Sequence, residues 1–374
     1  MTLDEIIASR RVLLCVGSGG VGKTTTAAAI AVEAALRGRR TAVLTVDPSR
    51  RLKDTLGLGR LDERARRVPL GAGPGHLDAM LLDVKRTFDE LVRELAASAE
   101  DAERILGNRL YQNLSGALVG SAEYMAVESV YRLVEDAAYD FVVVDTPPSR
   151  HAVDFLDAPR RLLAFLDSRA LAVLKNPTSI LPGATSRLAQ LLLSSLLAGV
   201  ERFTGIGLVR EVSEFVAAIE SLTGGLRTRV AHVAELLGSE ATALVLVTAP
   251  DARLTRDTRD LAATLGARGL RIGGVIVNRA LPAALFGAAA PDPGPPVGVP
   301  PGLGTRLAEC FAELRTETRR QETTLAPLLA VAGAPLLASV PPLASTPVTL
   351  AGLRELGGHL FPSEPATRTR SAGR

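Results

Sequence analysis

One short segment limits what this chain can fold into more than any other feature. Residues 17–25 read Gly-Ser-Gly-Gly-Val-Gly-Lys-Thr-Thr, which matches the pattern of a phosphate-binding loop. The strand-like residues 11–16 precede this segment, and the Ala-rich residues 24–36, which have helical character, follow it. The sequence therefore predicts a strand, a phosphate loop and a helix in succession, as in P-loop NTPases.

The residue types of the phosphate loop suit a nucleoside triphosphate. Its glycines let the backbone approach phosphate oxygens closely, so that successive N–H groups surround them at a helix N-terminus. Lys23 is predicted to reach the β- and γ-phosphates as a catalytic cation, and the Thr24 hydroxyl to ligate Mg²⁺. The predicted nucleotide contacts in this loop are Gly19, Gly20, Val21, Gly22, Lys23, Thr24 and Thr25.

Short continuous apolar runs indicate strands that are buried on both faces of a sheet. These runs are residues 11–16, 41–46, 78–82, 141–145, 243–248, 272–278 and 336–340. Helical patterns such as 121–137 and 253–265 lie between them. This alternation predicts an α/β fold with a doubly wound, mainly parallel sheet.

Residues 152–239 interrupt the alternation, since they carry helix signals and no convincing strand. Asp157 and Pro159 predict the start of one helix there. We therefore expect a helical subdomain at 152–239, inserted into a nucleotide-binding core made of residues 1–151 and 240–362. Residues 287–304 are rich in Pro and Gly and predict a flexible loop, and the tail 363–374 is predicted to be disordered.

The composition argues against several kinds of site. The net charge of +3 comes from scattered arginines and the chain has no Trp, so we expect no nucleic-acid partner. Cys15 and Cys310 are far apart and have no zinc-like spacing, which argues against a disulfide framework and against zinc, iron–sulfur and metalloid sites. Both cysteines are expected to be buried.

No segment looks able to insert stably into a membrane. The longest apolar run of the helical stretch, residues 188–200, is shorter than the roughly 20 residues that a membrane-spanning helix needs. The N-terminal residues lack the pattern of a secretory signal. We expect a cytoplasmic protein, and peripheral contact with a membrane stays open.

The order of several motifs is similar to that of a known family. After the phosphate loop come Thr45-Val46-Asp47-Pro48-Ser49, Asp145-Thr146-Pro147-Pro148, Val277-Asn278 and Val340-Pro341-Pro342. Together they resemble the arsenite-pump/tail-anchored-protein-targeting ATPase family, in particular its single-domain bacterial members. The resemblance implies a Mg²⁺-dependent ATPase with a deviant Walker A motif, whose nucleotide state opens and closes a dimer.

This resemblance assigns roles to residues beyond the phosphate loop. It implies that Asp47 orients the attacking water and that Asp145 holds the Mg²⁺ shell. It also implies that Asn278 contacts adenine and that Pro341 belongs to a loop over the base. A guanine-reading motif is absent after residue 277, which favours ATP. For Asp47 and Asn278, a turn residue at a strand end is the alternative. The implied metal ligands are Thr24, Asp47 and Asp145.

Ser18 departs from the family pattern, because members normally carry lysine at this position. That lysine reaches across a dimer interface to the neighbouring phosphates, and a cation acting in trans can accelerate phosphoryl transfer by about 10³ to 10⁵. Three explanations stay open, of which we favour a heterodimer with a lysine-bearing homologue over a homodimer. The others are a slow nucleotide-dependent switch and substitution by a local arginine, namely Arg50, Arg51 or Arg150.

Functions of different kinds follow from these features. The first is ATP hydrolysis coupled to dimer opening and closing. The second is a nucleotide-gated binding module, in which the leucines at 188–197 hold a hydrophobic segment of a client, with ordinary helix–helix packing as the alternative for these side chains. The third is a regulatory subunit that binds nucleotide, hydrolyses it slowly or not at all, and relies on its partner for chemistry.

Overall fold

The computed structural model of the chain describes residues 1–46, 51–58, 61, 64–108, 111–112, 121–136, 138–167, 207–290 and 298–362. Asp47, the leucines at 188–197 and the tail 363–374 lie outside these residues. The chain divides into two units. The first consists of residues 1–82, 132–153 and 239–374, and the second of residues 83–131 and 154–238.

Among the described residues, eight strands form one sheet in the first unit. They are β1 (Val12–Val16), β2 (Arg40–Thr45), β3 (Arg66–Arg67), β4 (His76–Leu81), β5 (Phe141–Asp145), β6 (Thr242–Thr248), β7 (Ile272–Asn278) and β8 (Leu336–Val340). Their order is β3-β4-β2-β5-β1-β6-β7-β8, and every pairing except that of β3 with β4 is parallel. The predicted mainly parallel α/β fold is confirmed.

The described helices precede the first strand, follow the last one or connect successive strands, singly or in groups of two or three. In chain order they are α1 (Leu3–Ser9), α2 (Lys23–Leu36), α3 (Arg51–Thr55), α4 (Val84–Leu95), α5 (Ala99–Gly107), α6 (Ser121–Glu135), α7 (Ser149–Leu166), α8 (Gly207–Gly238), α9 (Ala252–Ala267), α10 (Ala283–Phe286), α11 (Pro301–Ala332) and α12 (Leu350–Leu360). In the described parts of the chain, none of these helices has the length and apolarity that crossing a membrane requires.

The core of the first unit is built around the central strands and α2. Every residue of β1 and β5 is buried, which explains why both strands read as continuous apolar runs. The small alanines of α2 are buried as well, and they let this helix lie close against the sheet. Helix α12 packs against α2 in turn. The phosphate loop is therefore held between two rigid elements, β1 and α2.

The second unit is helical where it is described, with its own small apolar cluster. That cluster is formed by Val92, Ile105, Leu106, Tyr111 and Leu222. A buried carboxylate, that of Glu128, accepts a hydrogen bond of 3.1 Å from the Tyr124 hydroxyl and lies 3.2 Å from Nε of Arg229. This unit includes residues 83–131 besides 154–238, and the subdomain boundaries of 152 and 239 stay a prediction.

Three local features differ from the sequence-based expectations. Helix α7 begins at Ser149 and runs through Pro159, so the predicted helix start at Asp157 is wrong; a helix can accept one proline at the loss of one backbone hydrogen bond. Helix α11 begins at Pro301, within the segment 287–304, because proline suits the first turn of a helix. Cys310 is exposed on α11, so the expectation of a buried side chain is wrong there.

Candidate functional site

The phosphate loop lies at the carboxyl end of β1, between the ends of β5 and β6. In open α/β sheets this edge is where ligands bind. Gly22 is the N-cap of α2 and has a left-handed conformation with φ of 95°, so that Lys23 is the first helical residue. The loop therefore ends at a helix N-terminus, where backbone N–H groups and the helix dipole favour an anion.

Two glycines of the phosphate loop are required by close neighbours. A Cβ on Gly17 would lie 2.1 Å from the carbonyl oxygen of Val247 in β6. A Cβ on Gly22 would lie 2.4 Å from Nδ2 of Asn278, and its positive φ is also unfavourable for other residues. The absence of side chains at Gly17 and Gly22 therefore lets the loop pack closely against β6 and β7.

Lys23 and Ser18 contact each other across the loop. The Lys23 side chain is buried, and its Nζ donates a hydrogen bond of 3.0 Å to the Ser18 carbonyl oxygen. The Ser18 side chain is also buried, with its hydroxyl 3.3 Å from Oγ1 of Thr258 and 3.4 Å from the carbonyl oxygen of Leu254, which it faces as a donor. Position 18 thus contacts helix α9 and provides no cation.

Oxygen ligands suitable for Mg²⁺ come together beside Lys23. The Thr24 hydroxyl donates a hydrogen bond of 2.7 Å to Oδ2 of Asp145, and the Thr45 hydroxyl donates one of 3.1 Å to the same oxygen. Asp145 is buried at the end of β5, where it pairs in register with Thr45 of β2. A hydroxyl and a carboxylate are ligands that a hard cation prefers, so these side chains fit the predicted metal.

The rest of a Mg²⁺ coordination shell has to come from elsewhere. Within the described ranges, no group of three or more His, Cys, Asp or Glu side chains could hold a metal ion. Mg²⁺ usually keeps several waters and binds through one or two protein oxygens together with substrate phosphates. The pair formed by Thr24 and Asp145 therefore suits a metal that arrives with a nucleotide.

Cys15 lies close to Thr24 and Asp145 but is unreactive. It pairs in register with Asp145 and is fully buried, as the sequence predicted. Burial raises the pKa of its thiol far above the ordinary value, and the Asp145 carboxylate raises it further. The thiol therefore stays protonated and is a poor ligand or nucleophile.

The two residues proposed for the base lie at the ends of neighbouring strands. Nδ2 of Asn278, the last residue of β7, donates a hydrogen bond of 2.9 Å to the carbonyl oxygen of Val21. Asn278 pairs in register with Val340, and Pro341 follows directly after that residue. Asn278 therefore contacts the phosphate loop itself, and its contact with a base stays a prediction.

Some of the predicted site residues cannot be placed. Asp47 and Arg50 lie outside the described residues, as do the side chains of Arg51 and Arg150. Thr25 lies in the first turn of α2 and is partly exposed, while Gly19 and Gly20 are exposed. The structure thus brings together Lys23, Thr24, Asp145 and Asn278 around one loop.

Sequence reasoning missed two residues of this site. Nη2 of Arg279 donates a hydrogen bond of 2.9 Å to the Gly20 carbonyl oxygen, and Arg279 is the one non-glycine residue of the described chain with a positive φ, 59°. Thr45 is the other, through its hydrogen bond to Asp145. An arginine after Asn278 gave no signal in an Arg-rich chain, whereas Thr45, at a strand end before Asp47, was a recognisable candidate.

Comparisons with known proteins point to one family of ATPases. The model of a protein family described as "Anion-transporting ATPase" matches residues 10–286. An ATPase get3 of Aspergillus terreus is 32% identical over 164 residues, which cover 44% of this chain and 46% of that protein. An ATPase GET3 of Phaeosphaeria nodorum is 25% identical over 294 residues, which cover 75% of this chain and 80% of that protein.

Proposed function

This chain belongs to the anion-transporting ATPase family, and on that premise we propose that it binds Mg²⁺–ATP at the phosphate loop and hydrolyses it. The observation that carries the proposal is the hydrogen bond of 2.7 Å between Thr24 and Asp145. It places a hydroxyl and a carboxylate side by side next to Lys23, at a helix N-terminus. Phosphoryl transfer is catalysed mainly by such positioning and by charge stabilisation.

Each residue has a distinct task in this proposal. Thr24 and Asp145 would hold Mg²⁺, which when bound would supply positive charge to the phosphate oxygens. The Lys23 ammonium, which donates to the Ser18 carbonyl oxygen, would stabilise charge on the phosphates. Asp47 orients the attacking water, and Asn278 and Pro341 lie toward the base.

We propose that the functional form is a dimer that opens and closes with the nucleotide state. The buried Ser18 hydroxyl, which contacts α9, supports a need for a cation from another source. A heterodimer with a lysine-bearing homologue would supply it across the interface. The alternative is a regulatory subunit whose own turnover is slow. We also propose that the protein is cytoplasmic. A hydrophobic client would bind to the helical subdomain.

Phosphate release from Mg²⁺–ATP tests this function, measured for the chain alone and after mixing with a lysine-bearing homologue. We expect slow turnover by the chain alone and, after the turnover of the homologue alone is subtracted, an increase of about 10³-fold or more on mixing, with no such increase when the chain carries Lys23→Ala. Fast turnover by the isolated chain would contradict the paired site. ATP binding with no turnover under either condition would favour the regulatory subunit.

Asp47→Asn separates the chemical step from nucleotide binding. Because the carboxylate is proposed to orient water, this variant is expected to bind ATP normally and to lose most of its turnover. Asp54→Asn, a nearby change on α3, serves as the control. Full turnover by Asp47→Asn would remove Asp47 from the proposed mechanism.

A further inference from the structure

We propose that Asn278 and Arg279 are a pair of positioning residues, which hold the phosphate loop in its binding shape through the carbonyl oxygens of Val21 and Gly20. The inference rests on the proposed nucleotide site and adds a task that the family resemblance does not give to these residues. Asn278 ends β7 and Arg279 follows it, so one strand end presents both side chains.

The contacts of this pair are specific. Nδ2 of Asn278 donates to the Val21 carbonyl oxygen and Nη2 of Arg279 to that of Gly20, each at 2.9 Å. The amide of Asn278 reaches the loop only because residue 22 has no side chain, since a Cβ there would be 2.4 Å from Nδ2. The end of β7 and the phosphate loop are therefore complementary in shape.

Holding a carbonyl oxygen also fixes the next amide group. A trans peptide unit is planar, and its C=O and N–H point in opposite directions. The bond from Arg279 to the Gly20 oxygen thus orients the N–H of Val21, and the bond from Asn278 to the Val21 oxygen orients that of Gly22. Such N–H groups form the anion-binding surface of a phosphate loop.

Lys23 completes this arrangement from within the loop. Its Nζ donates to the Ser18 carbonyl oxygen at 3.0 Å, which orients the N–H of Gly19 by the same reasoning. When a phosphate attracts the ammonium group of Lys23, this side chain would exchange the Ser18 oxygen for the phosphate. Asn278 and Arg279 contact the loop from the end of β7. Their hydrogen bonds to the Val21 and Gly20 carbonyl oxygens can persist while phosphate is bound.

The backbone at Arg279 has a left-handed conformation, with φ of 59°. A left-handed conformation costs a non-glycine residue about 1 kcal/mol, and it persists only where neighbouring structure determines it. The next residue, Ala280, is fixed because its N–H donates to the Val340 carbonyl oxygen at 2.9 Å. Between this anchor and β7, the turn at Arg279 directs its guanidinium group to the loop.

The positive charge of Arg279 adds to this role. Hydrogen bonds from an ionised donor are stronger than those between neutral groups. The guanidinium group is exposed and lies near Asp251, whose pKa is lowered mainly by the backbone N–H of Leu254, with smaller effects of Arg253 and Arg279. Arg279 therefore brings a charge to the entrance of an anion site without being buried.

Hydrogen–deuterium exchange of the nucleotide-free protein tests the positioning directly. We expect the amides of residues 19–22 to exchange at least about tenfold faster in Asn278→Ala and Arg279→Ala than in the unmodified chain. Arg279→Lys should restore part of the protection, and Arg271→Ala, an exposed arginine just before β7, should change nothing. Unchanged exchange in both variants would overturn the proposal, whether or not the chain binds nucleotide.

Calorimetric titration with Mg²⁺–ATP, Mg²⁺–ADP and Mg²⁺–GTP supplies the second readout. Loss of one loop contact is expected to weaken binding of all three by a similar factor, about tenfold. A loss in Asn278→Ala confined to the adenine nucleotides would show base reading and contradict loop positioning. Absence of nucleotide binding by the unmodified chain would contradict the proposed function instead, and the exchange experiment would still decide this inference.

Discussion

The hydroxyl group of Thr24 donates a hydrogen bond of 2.7 Å to the carboxylate of Asp145, although the two residues are 121 positions apart in the chain. Thr24 belongs to the first turn of α2, and Asp145 is the last residue of β5. The parallel pairing of β5 with β1 brings them together, since β1 leads into the phosphate loop. The sheet topology thus creates the oxygen pair that we propose for Mg²⁺.

Thr24→Val should weaken the binding of Mg²⁺–ATP by about tenfold and leave metal-free ATP binding nearly unchanged. Valine has a similar shape but lacks the hydroxyl, so the proposed metal ligand and the hydrogen bond to Asp145 are both lost, while the hydrogen bond from Thr45 to Asp145 stays. Thr24→Ser, which keeps the hydroxyl, is the matched control. Calorimetric titration with and without Mg²⁺ measures the difference, and equal losses under both conditions would argue against a metal ligand.

Gly17→Ala should destabilise the nucleotide-free protein by about 1–3 kcal/mol, because its Cβ would lie 2.1 Å from the Val247 carbonyl oxygen. Gly19→Ala in the same loop is the control, since its Cβ would have no neighbour within 4 Å. Urea unfolding of both variants measures the effect. Equal stability of the two would show that β6 and the loop are not in close contact.

Acid should weaken the ion pair between Arg40, the first residue of β2, and Asp140, which directly precedes β5. Nη2 of Arg40 lies 2.6 Å from Oδ1 of Asp140, and hydrogen bonds from the side chain and backbone of Arg40 lower the Asp140 pKa to about 2. Since this pKa is lower in the folded than in the unfolded state, the stabilisation is present above about pH 4 and is lost as the pH falls toward 2.

The size of this effect is limited by solvent, because both side chains are at least a third exposed. We expect Asp140→Asn to lower the free energy of unfolding at pH 7 by less than about 1 kcal/mol, and by less still near pH 2. Urea unfolding at both pH values measures it. With Arg40→Met already present, the same change should have almost no pH-dependent effect; an unaltered dependence would mean that another group is responsible.

Much of the fold could be predicted from sequence because its central strands are buried on both faces. The runs 141–145, 272–278 and 336–340 coincide with β5, β7 and β8. The phosphate-loop motif also predicted that a strand precedes it and a helix follows it, and these are β1 and α2. Strand β3 has only two residues and joins the sheet through β4, so its sequence carries no periodicity to detect.

The site could be predicted only in part, for a physical reason. Lys23, Thr24 and Asp145 have chemistry that a motif can reveal, and they meet in the structure. The role of Arg279 depends on a left-handed backbone conformation and on the Gly20 carbonyl oxygen of the phosphate loop, which is distant in the chain. Neither can be detected from composition or from the spacing of residues. The contact of Ser18 with Thr258 likewise depends on how α9 packs.

Calorimetric titration of the chain with Mg²⁺–ATP, compared between the unmodified protein and Lys23→Ala, tests the central claim most directly. Lys85→Ala, a change on helix α4 of the second unit, is the control. We predict binding by the unmodified protein and by Lys85→Ala, and binding that is about 10 to 100 times weaker in Lys23→Ala. No binding by the unmodified protein, or equally tight binding by Lys23→Ala, would contradict a nucleotide site at this loop.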